Sequence, residues 1–330
     1  MVEQRISAPP GLEKIFGRHV AANTSSIFVI SREWENDFPP AYLHVYRRTD
    51  LGAAPVVRRV PISFHYQLSA TDKVLVVMPV VYGDDHRALI FKSVGQRWIP
   101  LQPVDAYTGA AFEDWVAITL PNQVMLYRVQ GPAMSLVRRI DARGVEDAGF
   151  WQGKLAVVRT EGTDRIFALH ALGAEEAEPQ TVIESFEGVV YPPREAEIDS
   201  DAATLLIESR CEPGPEGMSD TVRVTAFRGD AGDPNAPTTI IAPEEMIWRD
   251  AEDPARATVL AGEIFAVMDE ALKRHDGKTG AWVDVAPTQA WRDAGLRVLH
   301  ANAGPDYLVV ACDGPDGVEL RVLDAGDVTA

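Results

Sequence analysis

Short apolar runs recur along the chain at nearly regular intervals, and each run follows two polar or turn-forming residues. Examples are SSIFVIS from Ser25, GKLAVVR from Gly153 and DYLVVAC from Asp306. The third residues of the seven runs serve as anchors and are Ile27, Val74, Trp115, Leu155, Leu205, Ile264 and Leu308. Successive anchors lie 47, 41, 40, 50, 59 and 44 residues apart. The pattern therefore predicts seven structural repeats that use nearly the whole chain.

Every anchor run is followed by further strand-like segments. An amphipathic segment comes next, as in RIFALHA from Arg165, and another follows it, as in VVRRVPI from Val56 and LVRRIDA from Leu136. These segments alternate apolar and polar residues and are separated by Gly, Pro and Asp. Together with one strand before each anchor run, they predict four antiparallel β-strands per repeat. No long segment has helical periodicity.

Two features indicate how the repeats begin and end. The seventh repeat has no fourth strand, because only a short tail follows Leu323. The N-terminal segment, residues 2–6, resembles such a strand and has the right length. The tetrapeptide Trp-Arg-Asp-Ala occurs at Trp248 and again at Trp291, each time before a repeat begins. We therefore expect the N-terminal strand to complete the last sheet.

The repeats predict an all-β fold. A four-stranded sheet that is amphipathic on both faces cannot bury either face alone, so the sheets are expected to pack as blades around an axis. The chain resembles the seven-bladed β-propeller superfamily, with a WD40-like architecture, across residues 1–330, which we expect to form a single domain. It lacks the Gly-His and Trp-Asp pairs of WD40 repeats, the kelch double glycine and the sialidase Asp box. The resemblance implies a fold and no specific family, so function must be argued from a site.

The first group of candidate site residues comes from the innermost strands, which meet at the central channel of a propeller. Counting back eight residues from each anchor reaches a polar or ionisable residue in every repeat. These residues are His19, Tyr66 with the adjacent His65, Tyr107, Asp147, Glu197, Arg256 and His300. Imidazole and carboxylate groups together suit a divalent metal or an acid–base pair. The simpler interpretation is a water-filled channel, and a register shift of one residue would turn any side chain to the other face.

The second group lies on the predicted loop face, which carries the loops between second and third strands and the loops entering each repeat. Its members are Trp34, Phe38, Asp84, Asp85, Trp248 and Trp291. Aromatic residues on loops often anchor protein interfaces, and this interpretation is favoured for Trp34 and Phe38. For Trp248 and Trp291, the paired repeat positions favour burial between adjacent blades.

Charge and composition narrow the possible partners. The chain has 49 acidic and 31 basic residues and a net charge of −18, which opposes binding to nucleic acid. No apolar run approaches the roughly 20 residues of a membrane span. No leader sequence is visible, so a cytoplasmic location is expected, with a secreted protein lacking its leader as the alternative. Cys211 and Cys312 fall on repeats that are not neighbours and are not expected to form a disulfide.

Two functions fit these observations. The first is a non-enzymatic protein-interaction platform, a subunit of a multi-protein assembly, which needs no catalytic residue, metal or cofactor and binds a protein partner through the loop face. The alternative is a propeller enzyme of the metal-assisted hydrolase, lactonase or lyase type that takes a small molecule in the channel. Its metal ligands, acid–base groups and anion clamp would be His19, His65, His300, Asp147, Glu197 and Arg256. No nucleophile elbow, Walker loop or dinucleotide-binding glycine motif supports another enzyme class.

Overall fold

The structure is a computed structural model of the chain. It describes residues 4–9, 16–17, 19–32, 40–63, 65–80, 87–162, 164–173, 179–185, 193–201, 203–211, 220–228, 238–241, 247–248 and 257–328. For some strand residues, among them His65, Glu197 and Trp248, only the backbone is described.

Antiparallel sheets follow one another along the chain. The first strand, β1 (Gln4–Ser7), joins the last sheet. Blade 1 consists of β2 (His19–Ala22), β3 (Ser26–Arg32), β4 (Ala41–Arg47) and β5 (Val56–Val60). Blade 2 consists of β6 (His65–Ala70), β7 (Val74–Val80), β8 (Arg87–Val94) and an edge in two pieces, β9 (Arg97–Pro100) and β10 (Val104–Asp105). Blade 3 consists of β11 (Gly109–Phe112), β12 (Trp115–Leu120), β13 (Gln123–Gln130) and β14 (Ala133–Asp141).

The remaining blades follow the same plan. Blade 4 consists of β15 (Val145–Trp151), β16 (Lys154–Glu161), β17 (Asp164–Ala171) and β18 (Gln180–Ser185). Blade 5 consists of β19 (Pro193–Ser200), β20 (Thr204–Cys211), β21 (Asp220–Arg228) and β22 (Thr238–Ile241), and the short β23 (Ile247–Trp248) also pairs with β21. Blade 6 consists of β24 (Thr258–Leu260), β25 (Glu263–Met268), β26 (Ala271–His275) and β27 (Trp282–Asp284), and helix α1 (Ala286–Asp293) follows it. Blade 7 consists of β28 (Arg297–Ala303), β29 (Tyr307–Gly314), β30 (Gly317–Asp324) and β1, and α2 (Ala325–Val328) follows β30.

The predicted fold, a seven-bladed β-propeller of four-stranded antiparallel blades, is confirmed. Each anchor run forms the second strand of its blade, and the amphipathic segment after it forms the third. First strands of consecutive blades lie side by side, as β11, β15 and β19 do. We therefore call the first strand of a blade its inner strand and the fourth its outer strand.

The N-terminal strand completes blade 7, as predicted. Strand β1 pairs with β30, so that Gln4 lies opposite Val322 and Ile6 lies opposite Leu320. The side chain of Ile6 is buried, whereas its neighbours on the strand are exposed. Strand β1 is thus held by backbone pairing along its four residues and by one apolar contact with the core.

Blades 7 and 1 are also joined by polar contacts. The hydroxyl of Tyr307 donates to the carbonyl oxygen of Asn23 at 2.8 Å. The guanidinium of Arg48 in blade 1 forms ion pairs with Asp306 at 2.7 Å and with Asp324 at 2.9 Å. It also lies 4.1 Å from the centre of the Tyr307 ring. These contacts connect the sheet that contains β1 and β30 to blade 1.

The chain divides into two compact units, Met1–Tyr66 with Asp250–Ala330, and Gln67–Arg249. In the first unit, Leu308 packs in the apolar cluster between blades 6 and 7, and the next residue, Val309, packs in the cluster between blades 7 and 1. In the second unit, similar clusters fill the spaces between blades 2 and 3, 3 and 4, and 4 and 5. Alternate residues of a strand thus serve the two faces of each blade. That residues 1–330 form a single domain stays a prediction.

Helix α1 is a local structure that the sequence pattern did not predict. It has Pro287 in its first turn, where the missing amide hydrogen costs nothing. Trp291 lies on this helix and is only 3% exposed, against Leu296 and Val298. The matching Trp248 lies in β23, so the repeated tetrapeptide occurs in two different local structures. Within the described residues, no helix has the length and apolar character that crossing a bilayer requires.

Replacing Ile6 tests how much the N-terminal strand stabilises the fold. We expect Ile6→Asp to lower the free energy of unfolding by about 3 kcal/mol, because it buries a charge where an apolar side chain packed. Urea denaturation measures the change. Gln4→Asp on the exposed face of the same strand is the control, with an expected change below about 0.5 kcal/mol. Equal effects of the two variants would contradict the role of β1.

Candidate functional site

Counting back eight residues from the anchor reaches structurally equivalent positions on the inner strands of four blades. The pairs His19 with Ile30, Asp147 with Val158, Glu197 with Glu208, and His300 with Ala311 occupy the same place in their sheets. In each pair, the second residue lies three positions after the anchor. The side chains of His19, Asp147 and His300 are 7%, 2% and 6% exposed. His19 and His300 belong to the first compact unit, and Asp147 and Glu197 belong to the second.

In blade 3 the register differs by one residue from the expectation. Tyr107 lies two residues before β11 and is 47% exposed. The equivalent position is Thr108. Its backbone amide donates to the Thr119 hydroxyl at 2.9 Å, and the hydroxyl oxygens of Thr108 and Thr119 are 2.8 Å apart. The difference arises because the expected anchor Trp115 is the first residue of β12, whereas the anchors of blades 1, 4, 5, 6 and 7 are the second residues of their strands. Val116 occupies the position that anchors hold elsewhere, and a shift of one residue moves a side chain to the other face.

Blade 2 shows the same one-residue shift. The amide of Thr71 donates to the carbonyl oxygen of Val74, as the amide of Asn23 donates to that of Ser26 in blade 1. By this alignment Gln67, and not Tyr66, matches His19. Tyr66 is buried and donates its hydroxyl to the Pro61 carbonyl oxygen. Its ring meets the His19 ring edge to face at 5.7 Å.

The other two candidates of this group cannot be placed in the same way. The backbone of His65 begins β6, and its side chain lies outside what the structure describes. Arg256 lies outside the described residues. Within the described ranges, no three His, Cys, Asp or Glu side chains are grouped so that they could hold a metal ion.

Polar side chains on the inner strands bind the backbone of the next blade. The amide of Ala111 in blade 3 donates to the Ser69 hydroxyl of blade 2 at 2.9 Å. The amide of Ile198 in blade 5 donates to Oδ2 of Asp147 in blade 4 at 2.9 Å. The amide of Ala303 in blade 7 donates to the Thr258 hydroxyl of blade 6 at 3.1 Å. Since an inner strand has a free edge, its buried amides need such partners. Polar inner residues therefore have a structural role.

The loop-face candidates are placed as follows. Trp34, Phe38, Asp84 and Asp85 lie outside the described residues. Of Trp248 only the backbone is described. Trp291 is buried, and the guanidinium of Arg321 lies 5.3 Å from its ring centre. Trp291 is therefore a core residue between blades 6 and 7, as its favoured interpretation expected, and is removed from the binding candidates.

A buried serine–histidine pair lies in blade 1 and was not predicted from the sequence. Ser31 Oγ and His44 Nε2 are 2.6 Å apart on the adjacent strands β3 and β4. A hydroxyl next to an imidazole is the geometry of an activated nucleophile. Here, however, Ser31 is 0% and His44 is 3% exposed, so a substrate has no access. Burial lowers the pKa of His44, which therefore serves as a neutral hydrogen-bond partner inside the blade.

A groove lies between blades 3 and 4. Its volume is about 1080 Å³. The apolar floor and wall consist of side chains that are each 8% exposed or less, namely Ile140, Val157, Ile166 and Ala168. The rim consists of the charged residues Asp141, Arg143, Arg159 and Glu161. Sequence reasoning missed the groove, because a small residue at position 168 in an alternating strand gives no signal of a cavity.

His170 lies near the end of β17 and lines the end of the groove that is opposite the loop face. The side chain is 7% exposed, and its Nδ1 has no hydrogen-bond partner. Burial, together with the smaller effect of the positive charge of Arg138, lowers the pKa of His170 to about 4. His170 is therefore neutral at pH 7. The groove thus combines an apolar floor, a charged rim and one buried imidazole.

The loop-face end of the groove is held in a fixed conformation. Gly144, in the linker that enters blade 4, has a φ of +67° and accepts the Thr160 amide at 2.9 Å. A Cβ at this position would come within 2.4 Å of the Thr160 carbonyl oxygen. Next to it, the bulge of β15 places Glu146 in a buried ion pair with Arg165 at 2.9 Å. The loop-face end of the groove is therefore fixed by backbone conformation and by polar contacts.

Comparisons with known proteins agree with the fold. No protein-family model matches the chain, and no curated protein matches its sequence. The β-propeller domain of the Trilobed protease from Pyrococcus furiosus is similar, with a TM-score of 0.57, 9% identity and coverage of 94% of this chain and 96% of that chain. The WD40 domain of coronin from Toxoplasma gondii gives a TM-score of 0.55, 9% identity and coverage of 97% and 86%.

The Nup133 β-propeller domain from Vanderwaltozyma polyspora is also similar. It gives a TM-score of 0.53, 8% identity and coverage of 98% of this chain and 97% of that chain. Identities this low show the fold alone, because one fold supports many functions. The chain is thus similar to β-propeller domains over nearly its full length, and its function depends on its own sites.

The pKa of His170 predicts how stability depends on pH. The unfolded chain binds a proton at this residue near pH 6.5, and the folded chain does so only near pH 4, so stability falls as the pH drops through this window. We expect a loss of about 2 kcal/mol between pH 7 and pH 4.5, which is less than the full pKa shift implies because pH 4.5 is still above the pKa of the folded chain. Urea denaturation at pH 7 and pH 4.5 should show a smaller loss in His170→Gln than in the original chain. Equal losses would exclude His170 as the source.

Proposed function

We propose that the chain is a non-enzymatic protein-interaction module, a subunit of a multi-protein assembly, that binds its partner on the loop face. The groove between blades 3 and 4 is the observation that carries this proposal. It opens on that face, since Asn122 lies in the turn between β12 and β13, and Arg143 lies in the linker that enters blade 4. The turn and the linker are the two kinds of loop that define the loop face.

The composition of the groove supports a protein partner. Protein interfaces combine a desolvated apolar centre with a polar rim, and the groove has Val157 and Ile166 at its centre and charges at its mouth. Its walls are strands and a constrained linker, so binding would order few residues and lose little entropy. Trp34 and Phe38 stay predicted anchors on a loop of blade 1.

The enzymatic alternative has less support. It requires the polar inner residues to be available to a substrate or a metal. Asp147 already accepts the Ile198 amide, and His19 packs against the ring of Tyr66. The similar folds include the β-propeller domain of a protease and that of Nup133, so fold likeness does not decide between the two functions.

Photo-crosslinking in cells of the source organism tests the proposal. We place p-benzoylphenylalanine at Asn122, which is exposed at the mouth of the groove. We expect a covalent adduct with one or a few discrete proteins, detected by a mass shift and identified by mass spectrometry. The matched control places the same group at Ser135, which is exposed on the outer strand of the same blade.

The proposal would be wrong if Asn122 gave no adduct, or if both positions gave the same adducts. Trp34→Ala and Phe38→Ala, combined with the crosslinker at Asn122, test the predicted loop anchors. We expect each to reduce the adduct yield about tenfold, the usual effect of removing an aromatic interface anchor. An unchanged yield would remove these two residues from the interface.

A further inference from the structure

We propose that a strip on the outer edges of blades 2 and 3 binds an acidic amphipathic helix of a partner protein. The apolar side chains of the strip are Val94, Ile99 and Leu136. The strip is a second surface beyond the loop face, because Val94 adjoins the turn between the third and fourth strands of blade 2, which lies at the opposite end of the blade. The inference therefore goes beyond the proposed function and does not depend on it.

The pairing of strands in blade 2 turns Val94 and Ile99 toward blade 3. Val74 belongs to the apolar cluster between blades 2 and 3 and lies opposite Lys92, which lies opposite Ile99. Residues that pair across a sheet point to the same face, and so do residues two apart on a strand, as Lys92 and Val94 are. The Lys92 ammonium confirms the direction, because it donates to the carbonyl oxygen of Gly131 in blade 3.

Leu136 faces the same strip from blade 3. It lies opposite Tyr127, and Tyr127 packs against the cluster between blades 2 and 3. Both blades belong to the second compact unit. Val94 and Ile99 on one side and Leu136 on the other are therefore directed into the space between the outer edges of the two blades.

These three side chains are exposed, unlike the buried floor of the groove between blades 3 and 4. Val94 is 50%, Ile99 is 44% and Leu136 is 40% exposed. Single exposed apolar residues are normal on a protein surface, whereas several that face one space mark an interaction site. Covering them removes apolar surface from water, which favours binding.

The strip is basic in an acidic chain. Its two segments, residues 92–105 and 131–141, contain four basic and two acidic residues, whereas the whole chain has a net charge of −18. The charged residues are Lys92, Arg97, Asp105, Arg138, Arg139 and Asp141. Arg138 faces blade 4 instead, because it lies opposite Leu126 of the cluster between blades 3 and 4. It is therefore not part of the strip.

Arg97 and Arg139 are the cations that a partner can reach. Arg97 lies opposite Val94, and Arg139 lies opposite Met125 of the cluster between blades 2 and 3. Both are exposed, and neither forms an ion pair with another residue in the described part of the chain. Two such guanidinium groups beside an exposed apolar surface are the complement of acidic side chains on a partner.

The two acidic residues of these segments leave the cations of the strip unpaired. Asp105 pairs with Arg87 at 3.7 Å, so its charge is already offset. Asp141 lines the groove between blades 3 and 4. The strip therefore keeps a local positive charge.

The charges also decide between possible partners. A symmetric contact with a second copy would place the same basic strip against itself, which the repulsion of like charges opposes. An anionic membrane is an extended negative surface that would approach acidic parts of the chain as well. A helix covers the strip alone, and at physiological salt charges beyond about 8 Å are screened. An acidic segment of another protein therefore fits best.

An amphipathic helix suits the strip better than an added strand. The free edge of β14 carries a bulge in its pairing with β13, and the edge of blade 2 is interrupted between Pro100 and Val104. Bulges and prolines prevent a continuous ladder of hydrogen bonds with another strand. Val94 and Ile99 lie two pairing levels apart, about 7 Å. This spacing is close to the rise of about 6 Å between positions i and i+4 of a helix.

Fluorescence anisotropy with the purified full chain tests the inference. The probe is a fluorescein-labelled helical peptide of about 18 residues, or five turns, with leucine on one face and glutamate and alanine on the rest. One comparison peptide replaces glutamate with lysine, one replaces leucine with alanine, and one scrambles the sequence so that leucine no longer lies on one face. We expect the probe to bind at least about tenfold more tightly than each comparison peptide, because the apolar and charged contacts both contribute.

Substitutions at exposed positions supply matched pairs of variants. We expect Leu136→Glu in the strip to weaken binding at least about tenfold, whereas Val283→Glu, at an exposed position on the outer strand of blade 6, should change it less than about threefold. Arg97→Glu should weaken binding about tenfold, and Arg59→Glu on the outer strand of blade 1 should change it less than about threefold. Circular dichroism and urea denaturation confirm that each variant is folded.

Several results would overturn the inference. One is equal binding of the four peptides, and another is equal weakening by Leu136→Glu and Val283→Glu. Equal weakening by Arg97→Glu and Arg59→Glu would also contradict it. Self-association of the chain, or binding to phosphatidylserine vesicles, that Leu136→Glu abolishes would assign the strip to a second copy or to a membrane instead. The crosslinker at Asn122 tests the proposed function separately, so a probe that fails to bind refutes the strip and leaves the loop-face proposal standing.

Discussion

The free edge of each inner strand is the constraint on which the rest of the structure depends. An inner strand has a neighbour in its own blade on one side only, and its other edge presents amide groups inside the protein. In four places among the described residues, the structure meets this need with a side chain from the preceding blade, namely Gln67, Ser69, Asp147 and Thr258. Blades 2, 4 and 6 thus supply hydrogen-bond acceptors for the blades that follow them, and polar residues on their inner strands contribute to the fold.

This constraint changes where function should be sought. Polar residues on the inner strands look like a site in the sequence, but Asp147 holds the backbone of blade 5 and His19 packs against Tyr66. The groove between blades 3 and 4 has the opposite character. Its loop-face end is fixed by Gly144 and the Glu146–Arg165 ion pair, and its rim carries charged side chains. A rigid groove on the loop face is a natural place for a partner, because little order is lost on binding.

The sequence predicted the parts of the structure that depend on local pattern. Strand alternation and turn residues predicted the four strands of each blade and the N-terminal strand of blade 7. The expected register was wrong by one residue in blades 2 and 3. The anchors Val74 and Trp115 are the first residues of their strands, whereas the anchors of the other blades are the second residues. The helix around Trp291 is too short for helical periodicity to be visible. The groove was not predictable, because it depends on the position of the outer strand of blade 3 against blade 4.

Amide hydrogen exchange at Ile198 tests the central claim most directly. In Asp147→Leu the acceptor is lost, and we predict that the Ile198 amide exchanges at least about tenfold faster, whereas the Ala303 amide, bound to Thr258, is unchanged. Asp147→Asn keeps a carbonyl oxygen and should preserve most of the protection. Unchanged exchange at Ile198 in Asp147→Leu would contradict the account, since the inner-strand amide would then not depend on the neighbouring blade.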